Sequence, residues 1–359
     1  MENKAIAADW TIVWFAFEDN LLLEDLVVSD VSNIAIMSQA AGVNLHALID
    51  TRNLGSWRVT RAAAAPMLTF YSIPNQNMND PRTLTGLLQS AFRASPAQRY
   101  GLVLSGHGAA YQISAEDGEH MDVDLIAKAV RCALDEAHVD KLDFVSWDTC
   151  MMSSASMAAV SSTFARHATA CETYCDDNGA IVRGMLSLFN DTTSTLNSLL
   201  ALQERYLNEC PAKAECDMSI LKLDNTAVAS LLDAARLMQR SFTLSTYRAA
   251  SLQHAGIMVD PAWPHLADMQ SLAELMHRRG ELSAPGLKYV IAAVAAVVVK
   301  TVSSPARLGV VTHCGLSISV CPNADTTGYD VPQAWYKFSN SVLVLKNETD
   351  TDARCGGGC

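Results

Sequence analysis

Two stretches of this chain, residues 100–108 (YGLVLSGHG) and residues 145–152 (VSWDTCMM), decide its fold class. Each begins as an apolar run of strand length and ends in small or polar residues, which predicts a buried strand with reactive side chains at its carboxyl end. His107 follows the first strand and Cys150 follows the second. Because chemistry gathers at the carboxyl ends of the strands in such sheets, we expect His107 and Cys150 to share one site.

Further strand and helix patterns alternate around these two stretches. Helix-like runs lie at about residues 20–39, from residue 81, at 125–137 and from near Cys150. Strand-like runs lie at 10–17, 43–49, 67–73, 100–104 and 142–147. Strands separated by helices predict an α/β fold with a mostly parallel sheet that helices cover on both faces.

The second half of the chain has a different pattern. Residues 225–300 are almost wholly helical in their apolar spacing, and strand-like sequence returns at 308–312 and 316–320. We therefore divide the chain into four parts: a core at 9–224, a helical subdomain at 225–304, returning strands and a helix that complete the core at 305–350, and a Cys- and Gly-containing tail at 351–359.

Composition excludes several classes of protein. The net charge of −12 argues against a nucleic-acid binder, because phosphate backbones select basic surfaces. The most apolar stretch, residues 289–299, is shorter than the roughly 20 residues that cross a bilayer, so we expect no membrane segment. Residues 1–10 (MENKAIAADW) lack the basic start and apolar run of a secretory signal, which predicts an intracellular, cytoplasmic protein.

The ten cysteines are irregularly spaced and do not form the paired C-x-x-C knuckles of structural zinc. We expect most of them to be reduced, small core residues. No firm metal site follows from their spacing.

His107 and Cys150 have the chemistry of a nucleophile and its base. The glycines beside His107 let the backbone turn tightly, and an imidazole can take up and release a proton near neutral pH, which suits it to proton transfer. We expect a helix to begin near Cys150, where its dipole would favour the thiolate and its N–H groups would receive an oxyanion. Each residue alone is at least as consistent with a structural role as with catalysis. Their joint placement on two strand ends leaves the catalytic and the structural interpretations evenly supported.

The two stretches resemble the paired signature of clostripain-like peptidases, in which one hydrophobic strand ends in His-Gly and another in Asp-x-Cys-x-Met. The likeness covers most of residues 9–224, with a thinner trace at 307–340. The resemblance implies a caspase-like three-layer α/β/α sandwich and cleavage after Arg or Lys without a required cofactor. It also implies that Cys150 is the nucleophile, that His107 is the general acid/base, and that the N–H groups of Gly108 and Cys150 form the oxyanion hole.

An arginine side chain needs a carboxylate in its pocket. Asp148 matches the family's acidic residue in that role, and the alternative is that it caps the following helix. By position, Thr173 and Asp176 would line the same pocket, and Asn20 would close it. The alternative for Asp176 is a solvated acidic turn.

The loop at residues 108–127 departs from the family pattern. Many members mature by cutting themselves after a basic residue between the catalytic His and Cys, but this loop contains no Lys or Arg. We expect a single-chain enzyme that does not cut itself there. The loop's carboxylates would provide a site for the calcium stimulation known in the family, or would form a solvated acidic loop; they are Glu116, Asp117, Glu119, Asp122 and Asp124.

Two other functions fit the same residues. One is a peptidase-like fold that has lost activity and serves as a binding module, and the other is a different Cys–His hydrolase on the same sheet. For the peptidase we expect a monomer whose partner is a peptide or protein with a basic residue at the cleaved bond. Intracellular kinetoplastid members resemble the chain, which makes the mitochondrion or kinetoplast the alternative location.

Overall fold

Nine strands form one central sheet, in the order β14-β11-β10-β9-β5-β1-β2-β3-β4. The computed structural model describes residues 8–18, 42–63, 67–108, 112–114, 120–173, 175, 194–209, 216–241, 258–260, 263–303 and 314–319. The strands within these residues are β1 (Ala8–Glu18), β2 (Val43–Thr51), β3 (Gly55–Arg61), β4 (Thr69–Ile73), β5 (Ala97–Ser105), β6 (His107–Gly108), β7 (Gln112–Ser114), β8 (His120–Asp122), β9 (Phe144–Asp148), β10 (His167–Ala170), β11 (Asp217–Lys222), β12 (Met258–Asp260), β13 (Trp263–Asp268), β14 (Val298–Ser303) and β15 (Ser317–Ser319).

The helices of the same residues are α1 (Pro81–Ala94), α2 (Val123–Ala137), α3 (Ala155–Ser162), α4 (Thr195–Glu209), α5 (Asn225–Ser241), α6 (Met269–Arg278) and α7 (Ala284–Val297). Helix α1 shows why these segments are helical. Asp80 caps it by accepting the Arg82 N–H at 2.9 Å, Pro81 opens it, and its buried residues recur at helical spacing. None of the helices described is long and apolar enough to cross a membrane.

The middle of the sheet is parallel and both edges are antiparallel. Strands β2, β1, β5, β9 and β10 run in one direction, while β3–β4 and β11–β14 add antiparallel pairs. Ser105 at the end of β5 lies opposite both Ala16 and Asp148. The carboxyl ends of β1, β5 and β9 therefore meet at one edge, which confirms the predicted α/β fold class.

The sheet is buried on both faces. Alternate residues of β1 point in opposite directions, so that Val13 and Phe15 pack in one core and Ile12 and Trp14 in the other. The first core lies under α1–α3 and α5–α7, and the second lies against α4. This arrangement explains the near-continuous apolar sequence of the central strands.

The segment predicted to be almost wholly helical contains strands as well. Strands β12, β13 and β14 lie within residues 225–304, and β14 pairs with β11 at the edge of the central sheet. The apolar run at 289–299 is shared between α7, which ends at Val297, and β14. A short apolar run does not by itself distinguish a strand from a buried helix. The division into domains stays a prediction.

Two other predicted elements lie outside the described residues, and an observed strand was not predicted. The helix predicted at about 20–39 and the strand predicted at 308–312 lie wholly outside the described residues. Strand β3 was not predicted, because its buried and half-buried positions do not alternate regularly.

Gly101 in β5 tests the packing of the sheet. A β-carbon there would overlap the Phe144 ring and lie 2.9 Å from Ile12 Cδ1, so we expect Gly101→Ala to destabilise the fold by about 1–3 kcal/mol. The matched control is Gly86→Ala in α1, where a β-carbon would have no neighbour within 4 Å. We expect that change to stabilise the fold by about 0.5–1 kcal/mol in urea unfolding. Equal effects of the two substitutions would contradict this packing.

Candidate active site

The turn after β5 places His107 at the carboxyl edge of the sheet. Gly106 has a φ of 143°, and its N–H donates to Asp148 O at 3.3 Å. A β-carbon at Gly106 would lie 2.9 Å from the carbonyl oxygen of Phe17, at the end of β1. Only glycine allows this close approach and this backbone conformation. His107 follows in β6 with its side chain exposed.

Gly108 packs directly on the backbone that carries Cys150. A β-carbon at Gly108 would lie 2.6 Å from Cys150 O and 2.7 Å from Thr149 Cβ. The segment His107–Gly108 therefore touches the segment Thr149–Cys150. Cys150 is partly exposed and reduced. The structure thus brings the two predicted dyad segments together, as the parallel strand order requires.

The helix expected near Cys150 begins later than predicted. Helix α3 starts at Ala155, and the Ser154 side chain caps it by accepting the Met157 N–H at 3.1 Å. The prediction that a helix begins near Cys150 is therefore wrong, and the dipole effect expected from it falls off within the first turn. A serine is a strong N-cap, and this one sets the helix start.

Instead, Cys150 lies in a turn that is hydrogen-bonded to the next strand's continuation. Met151 has a φ of 60°, and its N–H donates to Thr173 O at 2.6 Å. Ser153 N–H donates to Cys171 O at 2.8 Å, and Ser153 Oγ donates to Gly315 O at 2.6 Å. The turn that carries Cys150 is thus held from both sides by backbone from distant parts of the chain.

Asp148 is half-buried two residues before Cys150, and its carboxylate is oriented by a short relay. Ser105 Oγ donates to Asp148 Oδ2 at 2.8 Å, and Trp14 Nε1–H donates to Ser105 Oγ at 2.8 Å. The alternative that Asp148 caps the following helix is excluded, because Ser154 occupies that position.

Of the other predicted pocket residues, one lies in the described part of the chain and two do not. Thr173 is buried, and its hydroxyl donates to Asp217 Oδ1 at 2.6 Å. Asn20 and Asp176 lie outside the described residues.

Asp217 is the residue near the site that sequence reasoning missed. This buried carboxylate also accepts the N–H groups of Glu172 at 3.0 Å and Thr173 at 3.1 Å. It holds the backbone whose Thr173 carbonyl in turn binds Met151. A lone carboxylate at the start of an apolar strand was the only signal for it in the sequence.

A second thiol lies beside Cys150. Cys175 Sγ donates to Thr149 O at 3.2 Å. Burial raises the pKa of the Cys175 thiol well above its usual range, and the neighbouring thiol of Cys171 raises it further. Burial likewise raises the pKa of Cys171. These two cysteines therefore stay protonated near neutral pH and are poor nucleophiles.

Metal binding finds no support among the residues that are described. No group of three or more His, Cys, Asp or Glu side chains there could hold a metal ion. Of the five carboxylates proposed for calcium, Asp122 and Asp124 lie in the described part, and Asp122 Oδ1 is 3.5 Å from His120 Nε2. Calcium stimulation stays a prediction.

The family model of the clostripain peptidases matches residues 13–275, which include both strand-end motifs and the contact between them. The chain belongs to the clostripain family. No curated protein matches the sequence.

Solved structures of family proteases share the fold. One is an inactive zymogen protease from Parabacteroides distasonis, 19% identical, with a TM-score of 0.72 and coverage of 94% of this chain and 98% of that one. Another is a secreted cysteine protease from Bacteroides thetaiotaomicron in complex with an irreversible peptide inhibitor. It is 14% identical, with a TM-score of 0.70 and coverage of 93% and 99%. The caspase-like fold expected for a clostripain-family cysteine protease is confirmed.

The predicted cytoplasmic location is contradicted. The clostripain-family structure from Bacteroides thetaiotaomicron that matches 93% of this chain is that of a secreted protease. In addition, Cys216 is disulfide-bonded, and disulfides persist in oxidising compartments but are rare in the cytosol. The prediction failed because it rested on the first ten residues alone.

A substitution at Asp217 tests how the turn that carries Cys150 is held. Asp217→Asn replaces one accepting oxygen with an NH₂ group that faces N–H donors, so we expect a loss of about 2–3 kcal/mol of unfolding free energy. The control, Asp233→Asn, changes a carboxylate that is half exposed and paired with Arg236, and should cost less than about 0.5 kcal/mol. Equal denaturant midpoints for the two variants would contradict the role given to Asp217.

Proposed function

We propose that this chain is a cysteine endopeptidase that cleaves peptide bonds after Arg or Lys. The observation that carries the proposal is the packing of Gly108 on the Thr149–Cys150 backbone, which makes the His107 and Cys150 segments neighbours. Membership of the clostripain family, whose motif residues these are, supports the same assignment.

In the proposed reaction, His107 takes the proton from the Cys150 thiol, and the thiolate attacks the carbonyl carbon of the substrate. The carbonyl oxygen becomes an oxyanion, which the N–H groups of Gly108 and Cys150 would bind. His107 then donates its proton to the leaving amine as the C–N bond breaks, and an acyl-thioester remains on Cys150.

Water completes the cycle. His107 removes a proton from the water as its oxygen attacks the thioester carbonyl, and the Cys150 sulfur leaves as the acid product forms. No step requires an electron transfer or a cofactor. We propose that the enzyme works without one and as a monomer.

Asp148 is the proposed partner for a basic side chain. Its Oδ2 is fixed by Ser105 and Trp14, and the residue lies at the sheet edge two positions before the nucleophile. A preorganised carboxylate suits the planar, two-pronged geometry of a guanidinium. Asp176 and Asn20 would complete the pocket, as would the backbone around Thr173.

The sequence of the loop between the two dyad residues bears on whether the enzyme needs self-cleavage to become active. Residues 108–127 contain no Lys or Arg, so an enzyme specific for basic residues has no site there to cut itself. We propose that the chain is active without cleavage in this loop.

Substrate preference provides the test of the pocket. Citrulline has the shape of arginine without its charge, so we compare kcat/KM for peptides that carry Arg or citrulline at the cleaved bond. Loss of one partner of a buried ion pair costs about 2–5 kcal/mol, so Asp148→Asn should lower kcat/KM for the Arg peptide by about 30-fold or more. The citrulline peptide should change by less than about threefold.

Two controls interpret the result. Asp233→Asn removes an exposed carboxylate and should leave both rates unchanged, and Cys150→Ala sets the background. An unchanged Arg preference in Asp148→Asn would refute the pocket assignment. Wild-type activity no higher than that of Cys150→Ala, at several calcium concentrations, would instead favour the binding module.

A further inference from the structure

A cleft of about 480 Å³ opens at the edge of the sheet opposite the candidate active site. It lies where β9 and β10 begin and β11 ends, whereas Cys150 follows the other end of β9. Five strand residues at roughly 3.3 Å each separate the two edges by about 16 Å. The cleft is therefore a second site with its own side chains.

Cationic groups converge on this cleft from three separate segments. Lys141, Arg166 and Lys222 line it together with His167. Lys222 lies directly opposite His167 in the antiparallel pair of β10 and β11. In a chain with a net charge of −12, such a concentration of positive charge is unlike the molecule as a whole.

The two carboxylates of the cleft have other interactions. Asp140 Oδ2 pairs with Arg166 at 2.8 Å. Asp224 Oδ1 accepts the N–H groups of Thr226 and Ala227 at 3.0 and 3.1 Å, in the first turn of α5. Three cationic side chains, Lys141, Arg166 and Lys222, face two carboxylates in the lining, which leaves an excess of one positive charge.

The backbone that carries Arg166 is hydrogen-bonded on both sides, and the side chain of Lys141 is hydrogen-bonded as well. Arg166 N–H donates to Leu142 O at 3.0 Å, and Leu223 N–H donates to Arg166 O at 2.9 Å. Lys141 Nζ donates to Ser162 O at 2.6 Å and to Asn225 Oδ1 at 3.1 Å. Because the Lys141 ammonium group is already positioned, less side-chain entropy is lost when a ligand binds.

We propose that this cleft binds the phosphate group of a small phosphate-bearing molecule. A guanidinium, two ammonium groups and an imidazole come from three separate segments, and such donors suit an anion with several oxygen atoms. The volume is adequate for a small metabolite.

The protonation of the His167 imidazole can report whether an anion is bound in the cleft. Its Nδ1–H donates to Asp143 O at 3.1 Å, so Nε2 is the nitrogen that gains or loses the second proton. Burial lowers the pKa of His167, and the charges of Lys222 and Arg166 lower it further, while the Asp143 carbonyl and carboxylate raise it. Lys141, Asp140 and Asp224 complete the charged groups of the lining. An anion in the cleft favours the protonated ring, so phosphate should raise this pKa.

The experiment follows the imidazole resonances of the full-length protein by NMR at constant ionic strength. The probes are inorganic phosphate, glycerol 3-phosphate and acetate, and His167→Gln assigns the signal. We expect both phosphate compounds to move the His167 signal saturably and to raise its pKa, and acetate to have no saturable effect. Tighter binding of glycerol 3-phosphate would identify an organic phosphate as the ligand, and equal binding would identify free phosphate.

Matched variants distinguish a specific phosphate site from non-specific electrostatic attraction. Arg166→Gln should weaken phosphate binding by about tenfold or more, whereas Arg82→Gln should change it by less than about twofold. Both arginines are exposed and paired with a neighbouring aspartate, and only Arg166 lines the cleft. Lys222→Gln repeats the test if Arg166→Gln does not fold.

Three results would overturn the proposal. They are an unmoved His167 signal at millimolar phosphate, an equal response to acetate, and equal weakening by Arg82→Gln. None of them depends on peptidase activity, so the outcome is independent of the proposed function.

Discussion

The arrangement of the candidate site depends on the close contact of two glycines with neighbouring backbone. Gly106 lies against the end of β1 and Gly108 lies against Thr149 and Cys150, in both cases closer than any side chain allows. The parallel register of β1, β5 and β9 brings these strand ends together, and the glycines let the chain cross over them. That approach places the backbone of His107–Gly108 against the backbone of Thr149–Cys150.

The turn that carries Cys150 is held by buried hydrogen bonds from distant residues, and α3 begins beyond it. Asp217 fixes the backbone of Glu172 and Thr173, and Thr173 fixes Met151. Cys171 and Cys175, whose pKa values are raised by burial, lie nearby without competing as nucleophiles.

Local pattern predicted the central strands and the helices α1 and α2, because long apolar runs, N-caps and proline positions are properties of adjacent residues. The same pattern failed where a distant partner decides the structure. Strand β14 continues an apolar helix and becomes a strand by pairing with β11, and Ser154 rather than Cys150 sets the start of α3. Asp217 acts across 44 residues on Thr173, a pairing that no spacing rule contains.

The most direct test of the central claim is covalent labelling of the intact protein with an irreversible peptide electrophile, mapped by mass spectrometry. We predict that a reagent with Arg at the cleaved position modifies Cys150 and leaves Cys171 and Cys175 unmodified. The same reagent with Glu should react far more slowly, and His107→Ala should suppress labelling of Cys150. Labelling that spares Cys150, or that proceeds equally with Glu and in His107→Ala, would contradict the assignment of this site.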